Sequence, residues 1–208
     1  MKTMNKLKKY TMIPLVAIAV LITGCEKEEE EVPPTENEEE VITDVKLIFT
    51  NDSDTTDFVT VWAQDPDGTG VEELIMKDSI INLDKNKSYT LTFKIMNNLE
   101  SPGEDIGEEI KEEDDEHQIF FGFTENAFSN LVGGGNINNS ANEISYNDED
   151  DNGDDVGLST SWETSSATAT SKGFFTVRLQ HQPDIKTNIT GANDGDTDFE
   201  LTFELNIN

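Results

Sequence analysis

The sequence predicts an all-β protein built around a single antiparallel β-sandwich or barrel of about eight or nine strands. In several segments apolar and polar residues alternate with a period of two, which is typical of strands with one buried face. Turn-forming Gly, Asn and Asp residues separate these segments, and helix signals are few. These observations favour one β domain over residues 41–208.

The alternation is clearest at the C-terminus. The apolar face there consists of Phe199, Leu201, Phe203, Leu205 and Ile207, with a polar residue between each pair. Residues 89–95 repeat the pattern. The stretch "SIINLDKNKSYTLTFKI" therefore predicts a hairpin whose polar turn lies at residues 84–87.

The remaining elements follow from shorter patterns. Further strands are predicted at residues 41–50, 58–64, 117–124, 143–146, 158–164 and 174–181. Short helical turns are predicted in "EDIGEEIKEEDDE", residues 104–116, and at residues 125–131.

The first 24 residues form a predicted targeting segment. Four lysines precede an apolar run at residues 12–22, which is shorter than the ~20 residues of a membrane-spanning helix. The stretch Ile22-Thr23-Gly24-Cys25 resembles the lipobox of bacterial lipoproteins, and Cys25 is the only cysteine. That resemblance implies cleavage before Cys25 and lipidation of its thiol. An ordinary secretory peptide followed by a free thiol is the alternative.

Residues 25–40 form an acidic segment with almost no apolar side chains, and we expect a disordered tether there. Its residues Lys27, Glu28 and Glu29 resemble the export signal that follows the lipidated cysteine in Bacteroidota lipoproteins. The resemblance implies a lipid anchor in the outer membrane with the protein facing the cell exterior. The periplasmic face is the alternative.

The formal net charge of −30 decides which partners to expect. Nucleic acids and anionic headgroups require a basic surface, so no nucleic-acid partner is expected and the lipid anchor alone would contact the membrane. A protein or glycan of unknown identity remains as a ligand, and divalent cations are compatible with the charge.

The loop "NDEDDNGDD", residues 147–155, concentrates oxygen ligands of the kind that Ca²⁺ prefers. The predicted calcium ligands are Asp148, Asp150, Asn152, Asp154 and Asp155. The spacing begins like an EF-hand loop, but Ser159 stands where the bidentate glutamate would be. The alternative is a solvated acidic turn, because Asp, Asn and Gly are also the preferred turn residues.

The two histidines share the phase of apolar strand faces. His117 is in phase with Ile119 and Phe121, and His181 with Val177 and Leu179. They are predicted to meet and to offer a transition-metal site, with Glu116, Asp115 or Asp184 as further ligands or orienting groups. Core histidines bonded to the backbone are the alternative. The sequence has no G-x-S-x-G, phosphate-loop or H-E-x-x-H motif, and an enzyme is not expected.

Four segments are similar to small uncharacterised Bacteroidota outer-membrane lipoproteins: "DEHQIFF", "DEDDNGDDVGLSTSW", "RLQHQPDIK" and "DGDTDFELTFEL". Some of these carry the label "type 1 periplasmic binding fold superfamily", which requires alternating strands and helices that this sequence does not show. The resemblance implies a localisation and no activity.

Two functions follow as hypotheses. The first is a surface-displayed binding or interaction module stabilised by calcium. The alternative is a transition-metal or cofactor carrier that uses the two histidines.

Overall fold

A computed structural model describes residues 40–68, 74–99, 101–164 and 171–208. The chain divides into two units, Met1–Glu36 and Asn37–Asn208, and the described residues all lie in the second. The elements of the described ranges are β1 Asp44–Asn51, β2 Phe58–Gln64, β3 Ile75–Asp78, β4 Ile80–Leu83, β5 Ser88–Met96, α1 Ile106–Glu112, β6 His117–Phe123, β7 Ser159–Glu163, β8 Gly173–His181 and β9 Asp196–Ile207.

The strands form two sheets, which confirms the predicted all-β sandwich. One sheet has the order β3-β2-β1-β5-β7 and the other the order β4-β9-β8-β6. Every pair is antiparallel except β4 and β9, which run parallel. Among the described residues, none forms a helix that is long and apolar enough to cross a membrane.

The predicted hairpin at residues 79–95 is wrong. Its two strands form, but β4 pairs with β9 in one sheet and β5 pairs with β1 in the other. The turn residues between them therefore cross from one layer of the sandwich to the other. Tyr89 stabilises the crossing, because its hydroxyl accepts a hydrogen bond from the Asp84 backbone N–H at 3.0 Å.

Two further local predictions are wrong, and one strand was not predicted. Residues 143–146 form no strand and contribute one bridge, between Tyr146 and Thr160. Residues 125–131 form turns rather than a helix, with Phe128 bridged to Thr164. The short strand β3 was not predicted, since its pattern of burial shows no alternation.

The core lies between the sheets and is rich in aromatic side chains. Trp162 of β7 packs edge-on against Phe175 of β8, with ring centroids 4.9 Å apart, and against Phe128 at 4.7 Å. The alternation predicted for the C-terminal strand is present, because its five apolar side chains are all buried. Burial of these faces supplies the main driving force for the fold.

β6 is an edge strand that is buried along its whole length. Loop residues occupy its free edge: the N–H of Ile119 donates to Val156 O, and the N–H of Phe121 donates to the Asn136 side chain. Such a cover prevents pairing with another chain. It also places one end of β6, at His117, inside the protein.

Candidate metal centre

His117 and His181 lie opposite each other at one end of the β6–β8 ladder. Their rings stack in parallel, with centroids 4.4 Å apart and an interplanar angle of 4°. Both residues are buried. The prediction that the two histidines meet is therefore confirmed, because they are direct cross-strand partners.

The two nitrogens of His117 have different partners. Nδ1 lies 3.1 Å from the carbonyl oxygen of Glu113, just before β6. A carbonyl oxygen only accepts hydrogen bonds, so Nδ1 carries a proton. The other ring nitrogen, Nε2, points toward the candidate metal site. A backbone carbonyl that orients the ring in this way is the usual second partner of a metal-bound histidine.

Nε2 of His117 faces the carboxylate of Glu40. It lies 3.1 Å from Glu40 Oε1, within ion-pair distance. Apart from this ion-pair contact, Nε2 of His117 and Oε2 of Glu40 are both buried without a hydrogen-bond partner among the described residues. Buried polar atoms are rarely left in this condition, because desolvation without a partner costs about 1–3 kcal/mol.

The pKa values of the pair shift in opposite directions. Burial by itself would lower the pKa of His117, but the Glu40 carboxylate outweighs it and raises the pKa, with support from Glu113 O and the charge of Asp198. Burial would raise the pKa of Glu40, and His117 lowers it instead. The site therefore favours a positive charge between these two groups.

A second carboxylate lies beside His181. Nε2 of His181 is 3.4 Å from Oε2 of Glu116, the residue directly before β6. Glu116 is held in place by its backbone, since its carbonyl accepts a hydrogen bond from the Gln182 N–H at 2.6 Å. Each histidine thus has its own carboxylate neighbour.

Glu40 is a site residue that sequence reasoning missed, because it was assigned to the acidic tether. Its side chain is only 7% exposed. The signal that could have found it is position: Glu40 is the last acidic residue before the apolar pattern begins at Val41.

Asp198 was also missed, since the alternation of β9 places it on the polar face. The register between β8 and β9 shifts between Leu179 and Gln180, so Leu179 pairs with Phe199 and Gln180 with Thr197. Asp198 is the extra residue of this bulge, and its charge acts on His117. Bulges commonly redirect a side chain in this way.

More carboxylates lie near the histidine cluster, which consists of Glu40, His117 and His181. Burial, a hydrogen bond with Glu104 and the charges of Glu104, Glu40 and Glu113 raise the pKa of Glu109 to about 7. Glu109 belongs to α1, which leads into β6. Part of this shift comes from repulsion between neighbouring carboxylates, which a nearby cation would relieve.

Glu40, His117 and His181 can offer one ligand atom each, and these atoms lie within 4.8 Å of one another. A tetrahedral ion with ligands at ~2.1 Å needs them about 3.4 Å apart, so the rings would leave their parallel stack as the ion binds. Two imidazoles and a carboxylate suit Zn²⁺, Cu²⁺, Ni²⁺ or Fe²⁺ rather than Ca²⁺.

The acidic loop, residues 147–155, differs from the histidine site because its buried carboxylate is paired with a lysine. Lys186 Nζ lies 2.9 Å from Asp150 Oδ2, and both side chains are fully buried. Burial would raise the pKa of Asp150, and the Lys186 ammonium lowers it. The other oxygen, Oδ1, accepts hydrogen bonds from the N–H groups of Asn152 and Asp154.

Asp148, like Asp150, accepts hydrogen bonds from backbone N–H groups. Its two oxygens accept hydrogen bonds from the N–H groups of Gly157 and Ser159, at 2.9 and 3.0 Å. Asn152, Asp154 and Asp155 are near the surface of the loop. The calcium site stays a prediction, with Asp150 already paired to an internal cation.

Cys25, Lys27, Glu28 and Glu29 lie outside the described residues, as do the predicted signal peptide and the predicted tether up to residue 39. Comparison of the chain with protein-family models, with curated proteins and with solved structures finds no match.

Proposed function

We propose that the protein is a lipid-anchored lipoprotein of the outer membrane that binds a divalent transition-metal ion through His117, His181 and Glu40. The observation that carries this proposal is the buried pair of atoms without hydrogen-bond partners, His117 Nε2 and Glu40 Oε2. Both atoms are metal ligands by chemistry, and the second histidine stacks directly on the first.

Two further features suit a positively charged occupant between His117 and Glu40. The Glu113 carbonyl already sets the tautomer of His117 with Nε2 directed toward Glu40. The neighbouring carboxylate of Glu116 adds negative charge. Of the two sequence-based hypotheses, the metal carrier is therefore the one that the geometry supports best.

Zinc should stabilise the chain from residue 26 onward, which lacks the targeting segment and the cysteine thiol. At 100 times Kd, Zn²⁺ adds about 2.7 kcal/mol to the free energy of unfolding. In a domain of this size that raises Tm by about 5–10 °C. His181→Gln and Glu40→Gln should each weaken this rise, whereas Glu149→Gln, a change of an exposed glutamate, should leave it intact.

EPR spectroscopy of the Cu²⁺ complex identifies the metal ligands directly. The sequence contains two histidines, so imidazole nitrogen couplings in the EPR spectrum of the Cu²⁺ complex can come only from His117 and His181. We expect two such nitrogens in the wild type and one in His181→Gln. A Cu²⁺ spectrum without imidazole nitrogens would reject the site.

The anchor rests on Cys25 and the residues before it. Cys25→Ala should abolish lipid modification and move the protein from the membrane fraction to the soluble fraction, measured by fractionation and mass spectrometry. Retention of the variant in the membrane would contradict the lipoprotein assignment. For the wild type, digestion by protease added to intact cells would distinguish the exterior from the periplasmic face.

A further inference from the structure

A polar cavity of about 160 Å³ lies beside the outer face of β6, separate from the metal ligands. It is lined chiefly by amide, hydroxyl and carboxyl side chains from β6 and from two loops. The polar lining residues include Gln118, Asn136, Glu143, Tyr146, Asp155 and Asn188.

The floor of this cavity is fixed by hydrogen bonds. Asn136 Oδ1 accepts from the Phe121 N–H, and Asn136 Nδ2 donates to the Tyr146 hydroxyl, each at 2.8 Å. The Tyr146 hydroxyl in turn donates to Ile119 O at 2.8 Å. Asn136 and Tyr146 are thus anchored to β6, and the shape of the cavity does not depend on a ligand.

Its wall is also braced. Lys186, which precedes the lining residues Thr187 and Asn188, forms the buried ion pair with Asp150 and donates to Asp114 O at 2.6 Å. This pair ties the loop that carries Asn188 to the loop that carries Asp155. A pre-organised site of this kind binds with a smaller entropic cost.

Several lining groups are not used by the fold. The side chains of Glu143, Asp155 and Asn188 make no hydrogen bond to another residue in the described ranges. They are exposed at the rim, above the fixed floor. The cavity thus combines a rigid base with available acceptors and amide donors.

The chemistry of the lining selects the ligand class. Ligand pockets are usually mostly apolar with a few polar groups, and this one has the reverse composition. It contains no Lys, Arg or His among its lining residues, which disfavours an anion. An ammonium group only donates hydrogen bonds, whereas the side-chain amide of Asn188 also needs an acceptor.

Hydroxyl groups both donate and accept, so they match this mixture. We propose that the cavity binds a neutral, hydroxyl-rich ligand of the size of one sugar unit, with Glu143 and Asn188 contacting its hydroxyls. This binding is independent of the metal.

The test is saturation-transfer NMR on the chain from residue 26 onward, with methyl glycosides of glucose, galactose, mannose and N-acetylglucosamine as probes. Cadaverine serves as the cationic probe. We expect binding of at least one glycoside and a roughly tenfold weaker Kd in Glu143→Ala plus Asn188→Ala, because hydrogen bonds to charged and amide groups are lost. Glu112→Ala plus Asn138→Ala changes the same residue types at exposed positions outside the lining and should bind as the wild type does.

Three outcomes would overturn the proposal: no glycoside binds, cadaverine binds in place of the glycosides, or the Glu143 and Asn188 variant binds glycosides as tightly as the control. Circular dichroism of both double variants checks that the fold is retained. The mutated side chains have no hydrogen bonds within the described fold, so the result is not confounded by unfolding.

Discussion

The acidic loop and the histidine cluster both bury charged groups, and they neutralise them in different ways. In the loop, the buried carboxylate of Asp150 has a lysine ammonium 2.9 Å away. In the cluster, the carboxylate of Glu40 faces a histidine nitrogen, and no Lys or Arg within the described ranges forms an ion pair with it.

This comparison shows that the density of acids along the chain is a poor guide to a cation site. Residues 148–155 contain six acids, yet Lys186 supplies the cation for the buried one. The cluster also lies beside acidic runs, at residues 38–40 and 112–116, but no lysine or arginine of the described ranges pairs with Glu40 there, so its positive charge must come from a proton or a metal ion. A buried carboxylate is therefore informative when the protein itself provides no permanent cation for it.

The largest effect is expected at the ion pair of the loop. Lys186→Met leaves the Asp150 carboxylate buried without its ammonium, which should lower the free energy of unfolding by about 3–5 kcal/mol. Urea denaturation measures the change. Lys111→Met is the matched control, because Lys111 pairs with Glu108 on the surface at 3.7 Å and contributes at most ~0.5 kcal/mol. Equal losses for the two variants would remove the distinction between the regions.

The second-largest loss of stability is expected for alanine substitutions at two glycines. Gly153 of the loop and Gly195 beside the cluster have φ angles of +85° and +81°, so alanine is strained at both. A Cβ at Gly153 meets nothing within 4 Å, whereas one at Gly195 would lie 2.1 Å from His181 O. Gly153→Ala should cost about 1 kcal/mol. Gly195→Ala should cost about 2–4 kcal/mol, because the backbone of His181 must also move.

Thermal melts of both glycine variants, with and without Zn²⁺, separate the two contributions. We expect Gly195→Ala to reduce the stabilisation by zinc and Gly153→Ala to retain it. A full zinc response in Gly195→Ala would show that the position of His181 does not affect the metal site.

The smallest effect is expected for calcium at the loop. Since backbone N–H groups and Lys186 already engage Asp148 and Asp150, millimolar Ca²⁺ should raise Tm no more than Mg²⁺ does, through general screening of the charge. The comparison includes EDTA and the variant Asp148→Ala plus Asp150→Ala. A rise that is specific for Ca²⁺ and absent from the variant would establish the calcium site instead.

The sequence predicted most strands but not their partners. The alternation at residues 80–83 and 88–96 identified β4 and β5 correctly as strands, and the short turn between them favoured a hairpin. Period two reports which side chains are buried and not which sheet buries them, so the crossing between layers was missed.

The candidate site, like the sheets, could be predicted only in part from the sequence. The phases of His117 and His181 placed both on inward faces, but only the register of β6 and β8 brings them opposite each other. Asp198 depends on a bulge, which the alternation of β9 conceals. Glu40 sits at the end of an acidic run whose composition predicts disorder.

The sequence by itself determined the all-β class, the buried face of each long strand and the clustering of acids, because these follow from the order of side chains along the chain. The tertiary structure decided which charges have partners. His181 and Glu116 are 65 positions apart, as Lys186 and Asp150 are 36 apart, and their contacts arise from strand register and loop packing. The electrostatics of a buried group depend on neighbours within a few ångströms, and local sequence does not specify those neighbours.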